Sequence, residues 1–360
     1  MPLAARLFML LRKALCATKS CFWKALRGIR RGIALPRAPL TTADDVWNYL
    51  RAHPDQFALA AWDVGDEANG VFHDADTAWP LASTVKIVPL ALACHRLHSG
   101  EWSENSPIRD VERFYLPGTD GGAHEAAIHE LGGGVRTIGD ALTAMIEFSD
   151  NAATDALLFE LGRSVVDRET SLLGDIEPPH PVAGTMLVAL EGAKAVSVRE
   201  RAWAIASILD ADSQRAAAVA GRLSDYSARE LLSIARHFDN RGTARAFAKL
   251  MERLFTDQSG RYELARQRLG WPLRMPHNRD LFRQWGAKGG SLPGTLSSAQ
   301  FAETTSGRRR VVALFLHDLP LSRWKELSTS FAQQFVELEI LNADNPRALV
   351  MARIGNLQSR

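Results

Sequence analysis

Residues 79–97 read WPLASTVKIVPLALACHRL. The apolar run through Cys94 predicts a buried helix, and Ser83 and Lys86 stand three residues apart at its start, where both side chains share one helical face. A serine placed there gains the positive end of the helix dipole and unpaired backbone N–H groups that stabilise an oxyanion. Pro89 has no backbone donor and is expected to kink the helix. Taken alone, Ser-x-x-Lys is a weak pattern that equally fits an N-cap serine beside a surface lysine.

The flanking sequence decides the fold class. Before this helix, TTADDVWNYLRAHPDQ from Thr41 carries a capping residue, early acids and an apolar stripe, the marks of a helix start. FALAAWDV at 57–64, a turn through GDEANG and then VFHD form a hairpin of two short strands. From about 81 to 270 the chain is dominated by Ala, Leu and Arg at helical spacing, as in ARELLSIARHF and ARAFAKLMERLF. After Trp285, AKGGSLPGTLSSAQFAET and RRRVVALFLHDL read as strands, and SRWKELSTSFAQQFVELEIL reads as one closing amphipathic helix. The expectation is an α+β fold of two lobes. One antiparallel sheet is built from N- and C-terminal strands and flanked by terminal helices, and an all-α lobe is inserted between them. The predicted division is a basic segment at 1–43, a main domain at 44–345 and a tail at 346–360. Within the domain, about 44–80 and 280–345 form the sheet lobe, and about 81–279 the helical one.

With 360 residues, 46% of them apolar and 23% charged, the composition excludes collagen, a disordered chain and a multi-span membrane protein. Three cysteines exclude a disulfide scaffold. Nine of the basic residues precede Asp44, the first acid, leaving 34 basic against 41 acidic residues beyond it. The body is therefore mildly acidic and offers no nucleic-acid surface. The leader alternates cationic residues with Leu7, Phe8, Leu10, Leu11, Phe22, Trp23 and Leu26. It reads either as an export, targeting or membrane-surface segment over residues 1–40 or as a solvated tail. No clean signal-peptide cleavage site is evident. Cys16 and Cys21 match no redox or metal spacing, and Cys94 is expected to be a buried small hydrophobe.

Two further motifs change the reading of Ser83. Ser149, Asp150 and Asn151 begin 66 residues later, ahead of AATDALLFELG, and Lys288, Gly289 and Gly290 follow 139 residues after Ser149 on a predicted strand. Ser-x-x-Lys, Ser-Asp-Asn and Lys-Thr-Gly, in that order, form the signature of class A β-lactamases and penicillin-binding proteins. On these residues the chain resembles the serine β-lactamase and D,D-peptidase superfamily of penicillin-recognising enzymes, closest to the class A β-lactamase-like group, over roughly residues 45–345.

The resemblance implies Ser83 as nucleophile, Lys86 as the neutral amine that shuttles its proton, and Ser149 as the relay to the leaving nitrogen. Asn151, Lys288, Gly290 and Ser291 form the implied substrate-binding set, with the backbone N–H groups of Ser83 and Ser291 as oxyanion hole. The implied substrate is a β-lactam or D-amino-acid peptide, with no cofactor and no metal. An exported, periplasmic or membrane-associated location is implied with it. Two departures accompany the match. Gly289 replaces the usual Thr or Ser, and its hydroxyl is only partly replaceable by Ser291. Glu177, in the string Glu177-Pro178-Pro179-His180-Pro181, is the candidate deacylating base, but proline stands where an asparagine would help hold water. The helical lobe from Ser197 to Tyr262 also looks longer than such an enzyme needs.

HEAAIHE at 124–130 does not fit a zinc helix, because His124 and His129 are five residues apart, about 140° around a helix. YLPGTDGGAH at 115–124 is a Gly-rich turn without the Lys-Ser/Thr of a phosphate loop. The alternatives to β-lactam hydrolysis are a D,D-carboxypeptidase or esterase that deacylates slowly and a catalytically silent binding protein on the same fold.

Overall fold

The computed structural model describes residues 39–116, 120–191, 197–211 and 227–355. The leader reading up to residue 38, with Cys16 and Cys21, falls on residues outside that set, as do parts of the Gly-rich turn and of the long helical lobe.

The first described helix, Ala43–Ala52, is capped by Thr42, whose hydroxyl accepts from Asp45 N–H while Asp45 answers to the Thr42 N–H, the reciprocal pattern that fixes a helix start. Strand β1 (Phe57–Asp63) turns back into β2 (Val71–His73), as the hairpin reading required. A short strand, β3 (Trp79–Pro80), pairs with β4 (Arg241–Gly242). After the helical middle come β5 (Phe282–Leu292), β6 (Thr295–Thr304) and β7 (Arg309–Leu316). The main sheet runs β2-β1-β7-β6-β5, every neighbour antiparallel. Joining β1 to β7 closes the two ends of the chain into one sheet, the α+β architecture expected from the sequence.

Side-chain alternation along the strands sorts two cores. Ala58, Ala60 and Trp62 of β1, with Val311, Ala313 and Phe315 of β7, face the helix Ala244–Thr256 and the helical lobe. Phe57, Leu59 and Ala61, with Val312, Leu314 and Leu316, face the terminal helices through Val46, Trp47, Val336 and Ile340. Burial on both faces explains why β1 reads as a continuous apolar run rather than an alternating one. At Gly286 the sheet presses on the helix so closely that a β-carbon would stand 2.0 Å from the Phe255 ring.

The C-terminal reading needs correction. The expected single helix is broken at Phe331, whose φ of 57° ends Leu321–Ser330 and begins Ala332–Asn342. Residues read as a tail form the helix Pro346–Ile354, with Val350 fully buried against the terminal core. At the other end the body begins before residue 44. Leu40 is buried, and its carbonyl accepts from the Ser330 hydroxyl at 2.9 Å. Cys94 is buried as expected, its thiol pushed up to about 12 by that burial. No described helix is long and apolar enough to cross a membrane.

Candidate active site

The helix expected at Ser83 is a 3₁₀ turn, Ala82–Lys86, that leads into the α-helix Ile87–His98. Ser83 therefore precedes the α-helix instead of opening it. Pro89 is the third residue of that α-helix, within its first turn, where a missing backbone donor is tolerated. The turn is held from three sides. Leu81 N–H donates to Asn240 O at 2.9 Å, tying it to the start of β4. Ala82 has a φ of 45°, and its N–H donates to the Asp239 carboxylate at 2.6 Å. Ser297 on β6 donates its hydroxyl to Leu81 O and lies 2.8 Å from the Thr84 hydroxyl. A left-handed alanine beside a candidate nucleophile is strain that the surrounding bonds must hold.

Gly290 on β5 closes the fourth side. A β-carbon there would stand 2.5 Å from Ser83 N and 2.6 Å from Leu81 O, so only glycine allows the strand to approach the turn. Ser83 itself is half-buried, and among the described residues its hydroxyl takes no hydrogen bond.

The Ser149 hydroxyl lies between two lysines, 3.3 Å from Lys86 Nζ and 3.0 Å from Lys288 Nζ. A π-helical turn, Ala144–Phe148, delivers Ser149 in the left-handed region at φ 67°, after which Asp150 caps the helix Asn151–Leu161. Lys86 also donates to Ser149 O at 2.6 Å and to Asn151 Oδ1 at 2.7 Å. Its ammonium is fully buried. Loss of water pulls its pKa down to about 8, against the opposing charges of Asp150, Asp120, Asp155 and Asp239. Burial first, and the charge of Lys86 second, hold Lys288 well below the usual lysine range. The geometry thus gathers Ser83, Lys86, Ser149, Asn151, Lys288 and Gly290.

The side chains of Ser291 and Glu177 stand apart from that cluster. The Ser291 hydroxyl accepts from Trp324 Nε1 at 3.1 Å, so it is turned toward the helix Leu321–Ser330. Glu177 is exposed and, among the described residues, holds no hydrogen bond or ion pair. Its loop is fastened by His180, which exchanges backbone bonds with the Asn240 side chain at 2.9 and 3.1 Å. A carboxylate nearer the lysines went unread in the sequence. Asp155, fully buried, accepts from Val182 N and Ala183 N at 2.7 and 2.8 Å. Burial pushes it up to about 7, despite those two bonds and the charge of Lys86. It lies four residues after Asn151 on one helix face, the only sequence signal that pointed to it.

No group of three or more metal-binding side chains forms among the described residues. What the cluster can do is acyl transfer: a hydroxyl without a competing partner, a buried amine able to exist neutral, and a second hydroxyl fed by two amines.

The model of the "beta-lactamase enzyme family" matches residues 41–333. Solved structures share the fold at low identity. A beta-lactamase from Sphaerobacter thermophilus DSM 20745 is 17% identical at a TM-score of 0.52, covering 83% of this chain and 97% of its own. A class A beta-lactamase from Mycobacterium abscessus is 16% identical at 0.53, covering 84% and 100%. PBP-A is 14% identical at 0.50, covering 85% and 100%. No curated protein sequence matches this chain.

Proposed function

Because this chain belongs to the beta-lactamase enzyme family, we propose that it is a serine hydrolase that opens β-lactam amide bonds through an acyl-enzyme on Ser83. The observation that carries this reading is the Ser149 hydroxyl held between Lys86 and Lys288, on the same turn-and-strand assembly that presents Ser83. Neutral Lys86 takes the Ser83 proton as Oγ attacks the carbonyl carbon. The oxyanion faces the N–H groups of Ser83 and Ser291. Ser149 then gives its proton to the departing amide nitrogen and is reprotonated from the lysines. The C–N bond breaks and the Ser83 ester remains, until water adds, the C–O bond breaks and Ser83 regains its proton. Asn151 and Lys288 bind the substrate amide and carboxylate; because Gly289 offers no hydroxyl, Lys288 binds the carboxylate as an ammonium, which the incoming negative charge stabilises against the burial that otherwise lowers its pKa.

A second reading, a D,D-peptidase or esterase that deacylates slowly, is favoured by one observation. Glu177 is exposed and, among the described residues, unbonded, which weighs against its holding the hydrolytic water. A fluorescent penicillin separates the two: rapid turnover supports the first, a persistent adduct the second. The absence of any labelling contradicts both.

A further inference from the structure

We propose that His124 is a positioning residue for this acyl transfer, its ring fixing the Asp150 carboxylate and through it Ser149, Asn151 and the charge around Lys86. The inference rests on the acyl-transfer reading above. His124, on the helix Ala123–Glu130, is 1% exposed. Its Nδ1 lies 2.8 Å from Asp150 Oδ2 and its Nε2 3.1 Å from Glu112 Oε1. The Tyr115 ring stacks on it at 4.3 Å. Its backbone N–H donates to Asp120 Oδ2 at 3.0 Å, which sets the ring's approach to Asp150.

Asp150 is fully buried and uses its other oxygen, Oδ1, to cap the helix Asn151–Leu161 through Ala152 N and Ala153 N at 2.8 and 3.2 Å. Both oxygens are therefore committed, one to the helix that carries Asn151 and one to His124. Ser149 and Asn151 flank Asp150 in the chain, and Lys86 binds both of them. A rotation of the Asp150 carboxyl would move the cap and with it the two groups that Lys86 binds.

Charge follows the same path. Burial works against a charged ring, but the bonds and charge of Asp150, with those of Glu112, push His124 up to about 9. The imidazolium offsets Asp150, the first of the carboxylates that hold a proton on Lys86. Around the ring, Glu125 bonds Tyr115. On the packed elements, Glu147 is taken by Arg274 and Glu160 by Arg109. Around Lys86 stand Asp120, Asp155, Asp239 and Lys288 besides Asp150. With the positive ring removed, Asp150 acts on Lys86 at full charge, and Lys86 keeps its proton to higher pH.

The test is single-turnover acylation by a fluorescent penicillin across pH, on the wild type, His124→Gln and His124→Leu. The acid limb should move to higher pH by about one unit in both variants, roughly a tenfold loss below the limb. His124→Gln, which keeps a donor for Asp150, should recover the plateau rate that His124→Leu loses. Wild-type limbs and plateaus in both variants overturn the proposal, as does an equal fall at every pH with no shift. Titration of the His124 ring by nitrogen NMR gives a readout independent of turnover. It should titrate near 9 in the wild type and fall by about two units in Asp150→Asn. If wild-type protein is not acylated, the functional reading has failed, and a ring that titrates at its ordinary value removes the coupling to Asp150 as well.

Discussion

Gly290 runs so close to Ser83 that a β-carbon on the glycine would stand 2.5 Å from the serine nitrogen. The strand and the turn that carries Ser83 are thereby set against each other without a side chain between them. Gly290→Ala should push β5 away from the turn, costing about 1–3 kcal/mol of stability by overpacking. The acylation rate should fall on the order of 10²-fold, because the attacking hydroxyl and its oxyanion donors shift together. Chemical denaturation and stopped-flow acylation read the two effects. Wild-type values in both would mean that the contact does not constrain Ser83.

The acylation rate should rise with pH through about 8, where buried Lys86 loses its proton. The sign follows from the step itself, since only the neutral amine accepts the Ser83 proton. Below that point each pH unit should lower the rate about tenfold. Lys86→Arg should abolish acylation, because a guanidinium does not deprotonate in this range. A rate that is flat between about pH 6 and 9 would remove Lys86 as the acceptor.

For Glu177, exposure decides the expectation. A carboxylate that no described residue holds cannot fix a water against the acyl ester, so Glu177→Gln should leave the adduct lifetime unchanged. A base in that role contributes on the order of 10²–10⁴-fold. Lengthening of the lifetime by that factor, followed by mass spectrometry over time, would restore Glu177 to the mechanism.

Glu337 predicts a pH dependence of stability on the far side of the sheet. It is fully buried, bonded by the Ser298 hydroxyl and, at 2.7 Å, by the Gln300 amide. Burial raises its pKa from the ordinary 4.5 to about 8, against the pull of the Gln300 bond. The folded state therefore keeps a proton that the unfolded chain releases. Its contribution is intact below about 4.5 and is lost as pH rises toward about 8. Relative to Glu337→Gln, wild-type stability should fall across that window by up to about 1.4 kcal/mol per pH unit and level off above it. A difference between the two that does not change with pH would show that Glu337 ionises normally.

The three motifs and the sheet were legible because each rests on local pattern: Ser-x-x-Lys on helical spacing, β1 and β7 on apolar runs bounded by turns. The supports of the motifs were not, because they meet only in space. Ser297 reaches Thr84 across 213 residues, and Asp239 reaches Ala82 across 157. His124 belonged to a string that fits no zinc site, and nothing local marks it as the partner of Asp150, 26 residues on. The closing helix was misread because Phe331 adopts a left-handed φ without a glycine to announce it. The helix Pro346–Ile354 was missed because the amphipathic pattern before it looked complete.

The acyl-enzyme on Ser83 is tested most directly by rapid quenching with a β-lactam, proteolysis and peptide mass spectrometry. The expected result is the mass of the intact β-lactam on the peptide that contains Ser83, and its absence from Ser83→Ala. An adduct on another residue that survives in Ser83→Ala, or no adduct and no β-lactam consumption by the wild type, would contradict it.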